Sequence, residues 1–138
     1  MGQAVRATVQ GGICGFVTRI YAEGDDEYKV RLRVESDCEK VRAYVSAIGE
    51  TGSDQQAGSR PMEDDSIVRE VNALEELGRR HDALILAAAR DRQHGACVGC
   101  VTAAGLYKAM QAAAGLALPA DSRIEISLLP NTEDPESR

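Results

Sequence analysis

The alternation in the first third of the chain constrains the fold most. Tyr28-Lys29-Val30-Arg31-Leu32-Arg33-Val34 carries an apolar residue at every second position with basic residues between, the period of a strand with one wet face. Phe16, Thr18 and Ile20 alternate with Val17, Arg19 and Tyr21, and Glu23-Gly24-Asp25-Asp26 supplies a turn between the two runs, so together they predict a hairpin. Val5–Val9 is a further alternating run that closes at Gly11-Gly12. After residue 36 the period changes. Val41, Val45 and Ile48 recur at helical spacing up to Gly49, and Ser36-Asp37-Cys38-Glu39 reads as a capping box in which Ser36 and Glu39 satisfy each other's backbone donors.

Residues 50–62 offer Gly, Ser and Gln and almost nothing to bury, and are expected to form a flexible loop. A helical insertion follows over 63–92. Its first helix starts from a cap at Asp64 or Asp65 and buries the stripe Ile67, Val71, Leu74 and Leu77 up to Gly78; its second is the apolar run Ala83–Ala89. Gln93-His94-Gly95-Ala96 breaks the chain before a last helix from about Val98 to Ala114, with Leu106, Met110 and Ala113 on one stripe and a Schellman cap at Gly115-Leu116. Ile124, Ile126 and Leu128 then alternate with Arg123, Glu125 and Ser127 as a final strand, and 130–138 is expected to be a disordered tail. The fold class that follows is α+β: one domain over 1–129, an antiparallel sheet of three to four strands packed on one face by four helices, in the order β-β-β-α-loop-α-α-α-β.

Sixteen basic residues stand against twenty-two acidic ones, for a net charge of −6 with no basic segment, and there is one Phe, four Tyr and no Trp. Nucleic-acid binding is therefore not expected, since it needs a field of Lys and Arg with stacking aromatics. No signal-peptide core and no apolar run long enough to span a bilayer occurs, so the expectation is a cytoplasmic protein with no membrane partner. At 138 residues the chain buries enough surface to fold without staples, which leaves its four cysteines available for chemistry in a reducing compartment.

Those cysteines are Cys14, Cys38, Cys97 and Cys100, each where an element is expected to begin. Unpaired N–H groups at a helix start favour a thiolate, and a C-x-x-C spacing lets two sulfurs face one metal. His94 adds an imidazole to the third segment. The competing reading makes each cysteine a small apolar gap filler, His94 a solvated loop residue and His81 a surface residue at a helix start. Arg31 and Arg33, and the Glu75-Glu76 run, read as solvated faces. No catalytic Ser, Cys or Lys context, paired carboxylate, dinucleotide fingerprint or Walker loop is present.

The order of elements resembles the U-type iron-sulfur scaffold proteins (IscU and the N-terminal part of NifU), which place a Cys-Gly before a strand, a Cys at the sheet-to-helix turn and a His/Cys pair before a later helix. Cys14-Gly15, Cys38 and the His94–Cys100 loop stand at those positions. Three departures are present: Phe16 stands where the scaffolds have Asp, His94 and Cys97 are separated by two residues, and Cys100 is extra. Gly95-Ala96-Cys97-Val98-Gly99-Cys100 also looks like the cluster motif of the C-terminal NifU-like domain, which implies a cluster held between two subunits of a homodimer. Ile13-Cys14-Gly15-Phe16, Ser36-Asp37-Cys38, His94-Gly95-Ala96-Cys97 and Gly115-Leu116-Ala117-Leu118-Pro119 are similar to a family of small uncharacterised microbial proteins that share these phrases.

The functional expectation is a metal-binding protein, a carrier or scaffold rather than an enzyme. It would hold an iron-sulfur cluster, or alternatively Zn2+, through Cys14, Cys38, Cys97 and Cys100 with His94 as a substitute ligand, and serve cluster assembly, carriage or electron transfer with protein partners of cluster or sulfur transfer. One alternative is a thiol-disulfide redox or sulfur-relay protein in which Cys97 attacks and Cys100 resolves. The other is a non-enzymatic interaction module whose cysteines are structural.

Overall fold

The computed structural model describes residues 2–49 and 66–130. Four strands, β1 (Ala4–Gln10), β2 (Val17–Gly24), β3 (Lys29–Ser36) and β4 (Ile67–Asn72), form an open antiparallel sheet in the order β1-β2-β3-β4. Four helices accompany it: α1 (Glu39–Ala47), α2 (Ala73–Arg79), α3 (Leu84–Ala89) and α4 (Thr102–Ala113). The α+β expectation holds. Helix α4 lies against β1 and β2, α1 against β3 and β4, and α3 packs on both helices.

Alternation decides which face is covered. Ile20 and Ala22 on β2, Val30, Leu32 and Val34 on β3, and Ile67 and Val71 on β4 point inward and are buried with Val41, Tyr44, Val45, Leu106 and Met110. Each large apolar side chain removed from water in this way contributes about 1.5–3 kcal/mol. The opposite face carries Arg6, Arg19, Tyr21, Lys29, Arg31 and Arg33, with the Arg33 guanidinium 4.2 Å from the Tyr21 ring centroid and 2.8 Å from Glu35. Helix α4 approaches β1 closely because Gly105 has no side chain; a Cβ there would run into Val9.

Several expectations are corrected. The stretch from Ile67 to Asn72 is a strand, not the start of a helix: the β-branched residues Ile67, Val68 and Val71 pair with β3, setting Val71 opposite Val30 and Ile67 opposite Val34. Only Ala73–Arg79 is helical, and its cap is Asn72, whose side chain accepts the Glu75 N–H at 3.1 Å. The fourth strand of the sheet is thus this segment and not Ile124–Leu128, which has no regular structure. The capping box is absent. Ser36 ends β3, where its hydroxyl accepts from Thr18 Oγ1 at 2.8 Å and from the Cys38 N–H at 3.2 Å, and Cys38 becomes the cap residue of α1 without a side-chain cap bond. The Schellman cap forms as expected, with Leu116 N–H donating to Gln111 O (2.9 Å), Gly115 N–H to Ala112 O (3.1 Å) and Gly115 at φ 78°. The expected loop over 50–62, the caps at Asp64 and Asp65 and all of the expected tail except Pro130 lie outside the described residues.

Glu76 reverses the reading of a solvated acidic run. Glu75 is exposed, but Glu76 is only 2% accessible. Its carboxylate accepts the N–H groups of Leu84 (2.7 Å) and Ile85 (3.1 Å) and the Tyr107 hydroxyl (3.2 Å), while Tyr107 in turn accepts the Leu86 N–H at 3.1 Å. The first turn of α3 has no cap residue of its own, since Ala83 occupies that place, so Glu76 and Tyr107 satisfy three of its orphan donors from a distance. Burial, and then the neighbouring Glu76 charge, push the Tyr107 phenol well above the ordinary tyrosine range.

The β2–β3 turn is held by Asp25, whose Oδ1 accepts from the N–H of Glu27 (2.8 Å) and of Lys29 (3.0 Å). These bonds, that of Glu27 first, hold the carboxyl below its usual range. A group with a depressed folded-state pKa stabilises the fold above its unfolded pKa and loses that effect as pH falls through the folded value. Asp25→Asn should therefore unfold at lower urea than wild type at neutral pH, with the two curves converging in strong acid; a constant gap at all pH values would contradict this.

Candidate metal centre

Three chain segments with thiols reach one end of the sheet. β1 runs out through a short 3₁₀ turn, Gly12–Cys14, that closes on Gly15 at φ 77°, a conformation that suits glycine and lets β2 begin at once. Pairing of Thr18 with Ser36 puts the start of β2 beside the end of β3, so Cys38 leaves the sheet at the same end as Cys14. α4 enters there as well: its Gly105 lies against Val9 and Ile20, and Cys100 stands two residues before its first turn.

The third segment is built by local hydrogen bonds. Gly95 N–H donates to Asp91 O (3.0 Å) and Ala96 N–H to Ala89 O (2.7 Å), which fold the chain back over the end of α3. Asp91 Oδ2 accepts the N–H groups of Gln93 and His94. Cys97-Val98-Gly99-Cys100 is a single turn closed by Cys100 N–H donating to Cys97 O at 3.0 Å. The Cys100 thiol donates to Thr102 Oγ1 at 3.3 Å.

The four sulfurs differ in surroundings. Cys38 and Cys100 are half-buried and pack against the hydrophobic core, whereas Cys14 and Cys97 are exposed; all four are free thiols. His94 and His81 are exposed. Among the described residues, no group of three or more His, Cys, Asp or Glu side chains is gathered closely enough to hold a metal ion. The inner pair nevertheless shares a neighbour. Tyr44 on α1 is fully buried, and its hydroxyl has no hydrogen-bond partner among the described residues. Burial first, then the charges of Cys100 and Cys38, push its pKa far above the ordinary tyrosine range, so both thiols lie within electrostatic reach of that phenol.

A buried O–H without an acceptor costs about 1–3 kcal/mol. Sequence reading passed over Tyr44 although it carried a signal: it falls three residues after Val41 and beside Val45, on the stripe expected to be buried, where a phenol needs a partner. Around the exposed thiols the surface is apolar, with Ile13 and Val98 fully accessible and Phe16 42% so.

Among the described residues no helix is long and apolar enough to cross a membrane. No curated protein and no solved structure matches the chain. Over residues 5–69, which include Cys14 and Cys38 and end in β4, the chain is similar to a family of unknown function (DUF6951).

Proposed function

We propose that this end of the sheet binds an iron-sulfur cluster, or Zn2+, with Cys38 and Cys100 as the inner ligands and Cys14 and Cys97 as the outer ones, and that the protein acts in cluster assembly, carriage or electron transfer. The observation that carries the reading is the buried Tyr44 hydroxyl, which has no hydrogen-bond partner among the described residues and lies within electrostatic reach of the two inner thiols. Ligation deprotonates a thiol, and a metal-bound thiolate or cluster sulfide is the acceptor that this phenol lacks. The donor set suits soft ions, since four thiolates can complete a tetrahedral shell. The described thiols do not yet form that shell, so binding requires the two exposed loops to close over the inner pair, and the glycines flanking Cys14 and Cys97 allow it. Such a group would supply reversible one-electron transfer if it is a cluster, and a structural clamp if it is zinc. His94 remains the substitute ligand on the same loop.

The test is titration of the anaerobic, reduced protein with Co2+ as a spectroscopic stand-in for zinc. Thiolate-to-cobalt charge-transfer bands saturating at one ion per chain are expected. Tyr44→Phe separates ligation from packing. It should stabilise the metal-free protein by about 1 kcal/mol, because a buried unsatisfied hydroxyl is removed. It should also weaken metal binding. A variant that is less stable without metal, or that binds metal as tightly as wild type, would remove the argument from Tyr44.

A second reading has one observation in its favour: Cys97 is exposed and Cys100 half-buried within a single turn, the arrangement of an attacking and a resolving thiol. In that case Cys97 attacks a partner disulfide and Cys100 displaces the partner's thiol from the mixed disulfide. Two electrons and two protons pass to the partner as the Cys97–Cys100 bond forms. A reversible couple in Cys14→Ser/Cys38→Ser protein without metal would favour it.

A further inference from the structure

The chain leaves α4 as an arm without regular structure, several of whose apolar side chains stand open to solvent. Residues 116–130 have no regular structure, and Ile124 (71%), Ile126 (91%) and Leu128 (98%) stand open to solvent although they alternate as a strand does. The sheet has a matching open edge. Among the described residues β1 is paired only on its β2 side. Gly24 N–H donates to Gln3 O, and Gly11 N–H to Phe16 O, so the odd-numbered residues of this strand bond to β2 and the N–H and C=O groups of Ala4, Arg6, Thr8 and Gln10 face outward. On its covered face Val5, Ala7 and Val9 stay half-exposed, whereas Ile67 and Val71 at the opposite edge are buried. An unblunted edge of this kind is a template for another strand.

We infer that the arm of one molecule, Arg123–Leu128, adds as a fifth strand to β1 of a second copy, with the exchange reciprocated about a two-fold axis. Three observations select the second copy. The arm is held away from its own sheet, as the exposures show. It leaves α4 at the start of β1, where Gln3 N–H donates to Ala113 O at 2.9 Å, while α4 begins near the end of β1 at Val9. Returning directly onto its own edge, the arm would run parallel to β1; the antiparallel and more stable pairing is open in a two-fold partner. The eight residues 115–122 span up to about 27 Å, enough to cross between copies.

Side chains and charge also match. A register with Glu125 opposite Arg6 sets Ile126 opposite Val5 and Ile124 opposite Ala7, so the apolar side of the arm extends the core face and its polar side lies on the basic face. Residues 116–130 carry Asp121, Arg123 and Glu125, and Glu125 comes opposite Arg6 on an outer sheet face where Arg6, Arg19, Lys29, Arg31 and Arg33 outnumber Glu23, Glu35 and Glu70. The exchange itself uses no metal ligand, since the arm and β1 contain no cysteine or histidine.

The full-length, metal-free, reduced protein is to be run by size-exclusion chromatography with light scattering, beside Ile126→Glu and with hydrogen exchange on both. Ile126 touches no core residue, so the substitution leaves the domain folded, which circular dichroism checks. Wild type is expected at twice the chain mass with slow exchange at Arg6 and Thr8, and Ile126→Glu at the chain mass with those amides exchanging at least tenfold faster. A monomeric wild type overturns the inference, whether its arm amides are protected, as they would be if the arm folds on its own sheet, or free. A dimer that Ile126→Glu leaves intact overturns it too.

Discussion

Glu76→Ala will destabilise the metal-free protein by about 3–4 kcal/mol, lowering the thermal midpoint by about 10 °C, on the scale of charged hydrogen bonds and the midpoint shifts of a domain this size. The reason is what the substitution strands. The N–H groups of Leu84 and Ile85 and the hydroxyl of Tyr107 all point at this carboxylate, which is itself 2% accessible, so its loss leaves three donors without their acceptor, that of Ile85 in a buried position. A domain of ordinary stability has only ~5–15 kcal/mol to lose. Glu76→Gln keeps the shape and one carbonyl oxygen, so it should cost about half as much. Tyr107→Phe leaves the Leu86 N–H unpaired as well, and a double-mutant cycle between the two positions should show a coupling of about 1 kcal/mol or more. Additive effects of the two substitutions, or a loss for Glu76→Ala no larger than for the exposed Glu75→Ala, would contradict the account of α3.

Replacing either inner cysteine by serine will abolish metal retention. If the proposed centre forms, Cys38→Ser and Cys100→Ser each remove a half-buried proposed ligand, and a metal content at least tenfold below wild type follows from losing one of four thiolates. Cys14→Ser and Cys97→Ser should be milder, with binding retained but weakened, because those positions are exposed and His94 stands on the same loop as Cys97. Stability of the metal-free proteins separates the two roles of Cys38 and Cys100. Both pack against the core, so serine costs about 1 kcal/mol there through lost apolar contact. Metal loss must exceed what that predicts. Equal metal content in all four variants would remove the cysteines from the site.

Much of this architecture could be read from local pattern, and the failures share one cause. The β2–β3 hairpin, the stripe Val41, Val45 and Ile48, and the Schellman cap at Gly115 depend on residues close in sequence, and they formed as expected. Ile67 and Val71 fit a helix of period 3.6 as well as a strand of period 2 over so short a run, and what settled the matter was β3, more than thirty residues away. Glu76 looked like half of a solvated pair because its partners lie eight, nine and thirty-one residues on. The same limit applies to the thiols. Their position at element starts was visible, and it brings three segments to one end of the sheet, but the difference between an inner pair and an outer pair comes from packing on α1 and α4. Ile124–Leu128 has the right alternation for a strand and no strand partner among the described residues.

The central claim, that the thiol end holds a metal centre, is tested most directly by purifying the protein without exposure to oxygen and measuring visible absorption, iron, acid-labile sulfide and zinc. The account predicts either a brown protein with iron and sulfide in equal amounts or a colourless one with one zinc per chain, and in both cases loss of the metal in Cys38→Ser and Cys100→Ser. Protein that carries neither iron nor zinc, and that takes up neither on anaerobic reconstitution, would contradict it.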